Sequence, residues 1–174
     1  MKTEFDELVK RAKKGDSEAF SKLYAQIYKE LYYYALCNLD NSYDAADAVS
    51  DAVVDAYTGI KNLKDINAFK AWMYKILTAK IKRKQAQYIK ERENTVALDE
   101  SYAEHEKKEN KYIGVEILQQ LDLLNEQERM CFSLNVLEGY TSEEISKLTG
   151  IKPATVRSSL SRGRQKLRES LSEQ

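Results

Sequence analysis

The stretch TSEEISKLTGIKPATVRSSLSRGRQKLR, residues 141–168, divides into a short helix, a tight turn and a longer helix. Thr141 and Glu144 have the spacing of a capping box, in which each side chain satisfies a backbone amide at the start of a helix. The helix they open is short and places Ile145 and Leu148 on one side. Gly150 can take the positive φ that a tight turn demands, and Ile151 can fill the crease between the two helices. Pro153, the only proline in the chain, suits the first turn of the next helix, where its missing N–H costs nothing. Val156, Leu160, Leu167 and Leu171 then form a stripe predicted to be buried. Thr155, Arg157, Ser158, Ser161, Arg162 and Arg164 fall on the opposite face. That division is the pattern of a helix-turn-helix. Its second helix fits the major groove of duplex DNA, where arginine pairs bidentately with guanine and serine or threonine meets several base edges. Arg157, Ser158, Ser161 and Arg162 lie on the turns that enter the groove in this motif. Arg164, Lys166 and Arg168 lie further along and are expected at phosphates, which add affinity without sequence information. The alternative for such a basic face is an antiparallel helical hairpin that binds protein, for which the cap, turn glycine, crease isoleucine and first-turn proline would be coincidental.

Charge outside this stretch is unevenly placed. The 174 residues have zero formal net charge, yet residues 70–92 carry 8 basic and 1 acidic side chains, and residues 151–174 carry 6 and 2. Two basic blocks in an otherwise acidic chain are the footprint of a protein that touches nucleic acid at two places. Solvated basic helix faces are the plain alternative. A 43% apolar and 32% charged composition excludes wholesale disorder. No apolar run reaches the roughly 18 residues a membrane span needs, and the N-terminus lacks the apolar core of a secretory signal. A cytoplasmic protein without membrane insertion is expected. Cys37 and Cys131 read as buried thiols rather than a disulfide or zinc site. With His105 the only histidine, and no nucleotide loop or nucleophile–base pair, neither an enzyme nor a cofactor or metal is expected.

Apolar residues recur at helical spacing from the N-terminus onward, so the fold class is all-α. Phe5, Leu8, Val9 and Ala12 mark a first helix that stops at Gly15, after which Asp16 or Ser17 can cap a second. The second has a face of Phe20, Leu23, Tyr24, Ile27, Leu31 and Tyr34. A third runs from about Tyr43 to Tyr57 with Ala46, Val49, Val53 and Ala56 inward. A polar connection, Gly59 to Asn67, leads to a fourth with Phe69, Trp72, Met73, Ile76 and Leu77. Residues 93–111 are charged and poor in apolar side chains, as a linker is; a continuing solvated helix is the other reading. Beyond it come Ile113, Ile117, Leu118 and Leu121 on one face, then a helix from about Asn125 to Leu137, then the helix-turn-helix. Two small helical domains, 1–92 and 112–174, joined by the linker 93–111, are predicted.

These segments resemble a bacterial extracytoplasmic-function RNA polymerase sigma factor of the sigma-70 family. The segment LLNEQERMCFSLNVLEGYTSEEISKLTGIKPATVRSSLSRGRQKLR is similar to the domain that reads the −35 promoter element (region 4). GDSEAFSKLYAQIYKELYYYA, DAADAVSDAVVDAY and NAFKAWMYKI are similar to the domain that clamps onto the polymerase and reads the −10 element (region 2). The resemblance covers nearly the whole chain in the right order. It implies that Asp47, Val49, Asp51 and Val54 dock on the coiled coil of the polymerase β′ subunit. It implies that Lys61, Asn62, Lys64 and Asn67 surround a base flipped from the −10 element, a strand already separated. Lys75, Lys80, Lys82, Arg83 and Lys84 would follow its phosphates. Trp72 is either a core residue or a stacking platform. Core RNA polymerase (β′ coiled coil and β flap), promoter DNA and an antisigma factor are the implied partners.

Three positions depart from the family pattern. Ala45-Ala46-Asp47-Ala48-Val49-Ser50-Asp51 lacks a usual glutamate and glutamine, Ile76-Leu77-Thr78-Ala79 replaces a frequent Ile-Ala-Arg-Asn, and Arg83 stands near an expected aspartate. The implied function is a sigma factor that directs core polymerase to specific promoters. A helix-turn-helix regulator that binds DNA without acting as a sigma subunit is the alternative.

Overall fold

A computed structural model describes residues 2–94 and 115–173, and every regular element among them is helical. Four helices precede the linker: α1 (Lys2–Lys13), α2 (Ser17–Asn38), α3 (Ser42–Gly59) and α4 (Phe69–Asn94). Four follow it: α5 (Val115–Leu121), α6 (Glu126–Glu138), α7 (Ser142–Thr149) and α8 (Pro153–Ser172). The linker predicted at 93–111 begins inside α4, which takes in residues 93 and 94; residues 95–111, with His105, and Ile113 lie outside the described residues.

Local chemistry sets the helix ends. Gly15 has φ +96° after α1, and the Asp16 carboxylate accepts from the Ala19 amide at 3.1 Å to start α2. Asn41 caps α3 by accepting from the Asp44 amide at 2.8 Å. Asn125 with Glu128 and Thr141 with Glu144 form complete capping boxes at α6 and α7. Gly150 ends α7 in the left-handed conformation at φ +77°, and Pro153 opens α8.

The N-terminal helices bury Val9, Leu23, Leu31, Tyr34, Val49, Phe69, Met73 and Leu77 against one another. On α3 the inward set is Ala45, Ala48, Val49, Ala52 and Ala56, with Val53 half-buried; Ala46, expected inward, is exposed. Small side chains along that seam let α3 lie close to α4; Val49, Val53 and Ala56 face inward as predicted, and Ala45 takes the place expected of Ala46. Two short 3₁₀ turns, Ile60–Asn62 and Ile66–Ala68, connect α3 to α4 and are anchored by buried Ile60 and Leu63.

In the C-terminal half Leu134, Ile145, Val156 and Leu160 are buried. The α8 stripe ends at half-buried Leu167. Leu171 is 62% exposed, since the residue that meets α5 there is Ser170, hydrogen-bonded to Gln120 at 2.9 Å. Ile117 is likewise exposed, and α5 packs through Leu118 and Leu121. The two halves are not separate cores: α6 packs on α2 and α7 on α4 within one continuous apolar cluster. Asn38 Nδ2 donates across that junction to Ser133 Oγ at 3.0 Å, and the Tyr74 and Tyr140 rings meet edge to face at 5.8 Å. Lys70 reaches Glu30 of α2 at 2.6 Å and the nearly buried Glu138 of α6 at 3.6 Å.

Two glycines separate backbone need from packing need. Gly150→Ala meets no neighbouring atom but forces a β-carbon into a left-handed conformation, so it should destabilise the chain by about 1 kcal/mol. Gly163, inside α8, leaves ordinary contact distance to Leu124 at 3.7 Å, so Gly163→Ala should stabilise by about 0.5–1 kcal/mol. Opposite shifts of the thermal midpoint would confirm the distinction.

Candidate nucleic-acid interface

The outer surface of α8 follows from which residues its inner surface spends. Val156, Ser159, Leu160 and Gly163 face α6 and α7 and are buried, which turns Arg157, Ser161, Arg162, Gln165 and Arg168 outward. Ser158 and Thr155 are half-buried, and the Ser158 hydroxyl donates to the Thr155 carbonyl at 3.0 Å. The structure therefore brings the predicted base readers together on one surface. Ala154 and Gln165 share that exposed surface and were not singled out from the sequence.

Four cations of α8 are partnered by acids and amides of the preceding helices. Arg157 Nη1 lies 3.3 Å from Glu143 Oε1, and Arg164 Nη2 donates to Asn135 Oδ1 at 2.7 Å. Lys166 Nζ donates to Glu128 Oε2 at 2.7 Å, while Arg162 Nε lies 3.4 Å from Glu128 Oε1. Glu128 is 1% exposed. Burial opposes its charge, but hydrogen bonds from Lys166, from the Asn125 backbone amide and from Arg162 outweigh that and hold its pKa below the ordinary carboxylate value. Sequence reading missed this carboxylate; its place as third residue of a capping box was visible, whereas its pairing with α8 depends on the fold.

A second set of candidates lies around the α3–α4 connection. Lys61, Asn62 and Asn67 on the 3₁₀ turns and Lys64 between them are all exposed, and the Asn67 side chain donates to Asp65 at 3.2 Å. Trp72 is half-buried and packs on the core, 6.1 Å from the Phe69 ring. Along α4, Lys75 and Arg83 are exposed, but the other three predicted phosphate contacts have partners within the chain. Lys80 pairs with Asp55 at 2.6 Å and Lys84 with Asp47 at 2.6 Å. Lys82 Nζ donates to the Thr149 carbonyl at the end of α7, a site that the negative end of the helix dipole favours. Lys82 thus belongs to the junction between the halves.

On α3, Asp47, Asp51 and Val54 are exposed, Val54 to 62%. Val49, grouped with them from the sequence, is fully buried, so it supports the helix from beneath and cannot itself touch a partner. Cys37 and Cys131 are buried free thiols, pushed up by burial to about 12 and about 11. Among the described residues no helix is long and apolar enough to cross a membrane.

The chain thus joins a helix-turn-helix to four preceding helices, with a second group of cations on the fourth. The family description "Sigma-70 region 2" matches residues 20–90, and "Sigma-70, region 4" matches residues 114–167. The chain belongs to the sigma-70 family, and within it to the extracytoplasmic-function factors. It is 28% identical to the ECF RNA polymerase sigma factor SigW of Bacillus subtilis (strain 168), with 94% of each chain covered. It is also 28% identical to the ECF RNA polymerase sigma-E factor of Escherichia coli (strain K12), covering 91% of this chain and 89% of that one. Its fold matches the sigma factor RpoE of Bartonella quintana, solved with the anti-sigma factor NepR, at a TM-score of 0.72 and 22% identity over 88% of this chain and 96% of that one. CnrH, solved with the cytosolic domain of CnrY, matches at a TM-score of 0.69 and 20% identity over 98% of both chains. The region 2 match over α2 to α4 disfavours the alternative of a regulator with an unrelated helical domain.

Because the Glu128 pKa is lowered in the fold, its stabilisation is present above the unfolded carboxylate value and lost as pH falls through the folded one. Glu128→Gln should therefore lower the urea midpoint at neutral pH. The gap to the unsubstituted chain should close as the pH is taken below the carboxylate range.

Proposed function

We propose that this sigma factor divides promoter recognition between its two cationic surfaces, and that it does so by binding alone, without chemistry of its own. Sigma-70 factors direct core RNA polymerase to promoters, and the family places this chain in that role. In the proposed division, α8 reads the duplex −35 element through Arg157, Ser158, Ser161 and Arg162, with Thr155 at the edge and Arg164 and Lys166 nearer the phosphates. The observation that carries this assignment is the exposure of Arg157, Ser161 and Arg162 on a helix whose opposite side is locked into the core by Val156 and Leu160.

The −10 assignment rests on the exposed donors Lys61, Asn62 and Lys64 and on Lys75 of α4. They flank a connection whose apolar anchors, Ile60 and Leu63, hold its backbone in place. A separated strand suits such a surface, since donors there can meet base edges that a duplex would hide. Asp47, Asp51 and Val54 on α3 offer two carboxylates and an apolar contact to a basic coiled coil of the β′ subunit, and the β flap is the expected partner of the C-terminal half. Two of the similar folds were solved with a bound partner, one of them an anti-sigma factor. We infer that a protein of that class also holds this chain, in the cytoplasm.

Core polymerase reconstituted with the purified chain should yield promoter-dependent transcripts from a subset of genomic fragments; a holoenzyme that transcribes none of them would sink the sigma assignment. Arg157→Ala should cost about 1–3 kcal/mol at a single base-pair position of the −35 element, measured by binding to single-position variants. A loss spread evenly over all sequences would instead place Arg157 on phosphate.

A further inference from the structure

We propose that Glu128 is a positioning residue for −35 reading: its buried carboxylate presets Arg162, and with it the flank of α8 that meets the DNA. The inference rests on the assignment of α8 to the duplex element.

Glu128 stands on α6, outside the recognition helix, and is 1% exposed. Its Oε2 accepts from the Asn125 amide at 3.1 Å, which completes the α6 capping box. That task needs no charge, because glutamine serves equally at this position of a capping box. The charge is matched instead from α8. Arg162 and Lys166, one helical turn apart, converge on the two carboxylate oxygens, Arg162 Nε at 3.4 Å and Lys166 Nζ at 2.7 Å. A buried carboxylate is costly unless paired, so the two cations are drawn to one point.

A second tie runs beside the first. Gln127 Nε2 donates to buried Ser159 Oγ at 3.0 Å, and Arg162 Nη2 lies 3.5 Å from the same oxygen. The guanidinium is thus approached from two sides while half of the side chain, 51%, stays open to solvent. An arginine oriented in advance has less conformational freedom to lose when it meets a base, and its planar fork keeps one direction. Neutralising Glu128 would remove the charged one of these two contacts and leave Arg162 only the longer one to Ser159.

The experiment uses the full chain with core polymerase on a promoter recovered from the reconstituted transcription, with every single-base variant of its −35 element. Arg157→Ala is the control for the α8 assignment and should flatten the preference at its own base pair. Glu128→Gln, which keeps the cap, should reduce preference by about 10-fold at a different base pair, the one that Arg162→Ala also flattens. Combining Glu128→Gln with Arg162→Ala should give no further loss there, because one residue acts through the other. Unchanged preference in Glu128→Gln, or full additivity in the double variant, overturns the proposal and makes the two cations countercharges only. If Arg157→Ala, Arg162→Ala and Glu128→Gln all leave every preference intact, the assignment of α8 itself fails. Should Glu128→Gln not fold, Glu128→Asp keeps the charge but withdraws it by one methylene. The same position-specific loss is then required, and its absence overturns the proposal.

Discussion

Asn38, near the end of α2, holds three helices to one another. Its side-chain amide donates to the Tyr34 carbonyl at 2.8 Å and to Ser133 Oγ on α6 at 3.0 Å, and its own carbonyl accepts from Gln85 Nε2 on α4 at 3.1 Å. These groups are buried, and buried polar groups are costly when unpaired, so the pairing selects one register of α6 against the N-terminal helices. Around it Tyr34 and Tyr74 pack ring to ring at 5.4 Å, and the Tyr34 hydroxyl lies 2.7 Å from Thr78 Oγ1. Apolar contact alone would tolerate sliding between the halves; this polar point does not.

The placement of both candidate surfaces follows from that junction. The face of α4 that carries Tyr74, Thr78, Ile81 and Gln85 is buried. The exposed donors of the α3–α4 connection and the acids of α3 are among the groups that the N-terminal half leaves open. In the C-terminal half α6 is clasped between α2 and α8, so the helix that meets the N-terminal core also carries the carboxylate that meets Arg162 and Lys166. Helix α8 is thus connected to the N-terminal half through α6, which packs on α2, and through α7, which packs on α4.

Most of the helices were legible in the sequence because their determinants are local. Gly15, Asp16, the Thr141–Glu144 box, Gly150 and Pro153 all act within a few residues, and each does what its chemistry predicts. On α3 only Ala46 was misplaced, since an alanine-rich helix offers little contrast between its faces. Helix α4 reads as an apolar start from Phe69 to Leu77 followed by a basic block, whereas α2, α3 and α7 all pack against it. The charge pairs were beyond local reading altogether: Lys84 finds Asp47 across 37 positions and Lys166 finds Glu128 across 38. Arg157, Ser161, Arg162 and Arg164 were nevertheless read correctly as exposed, because a helix with one buried stripe has most of its other side decided for it, whereas Thr155 and Ser158 at its edge are half-buried.

Those long-range pairs also bear on how the protein will sense its ionic surroundings. A cation that leaves water for a phosphate ordinarily sets free the small ions condensed on the DNA, and binding then weakens steeply as salt rises. Lys80, Lys84, Arg157 and Lys166 already have a carboxylate beside them, at 2.6, 2.6, 3.3 and 2.7 Å. Each phosphate contact made by such a residue exchanges one anion for another, and the released carboxylate must find its own counterion. Added salt loosens the internal pairs as well as the external ones. Fewer ions are released than the cations on the surface would suggest, so a neutral chain of this design holds its DNA with a shallower dependence on ionic strength than its lysine and arginine count implies.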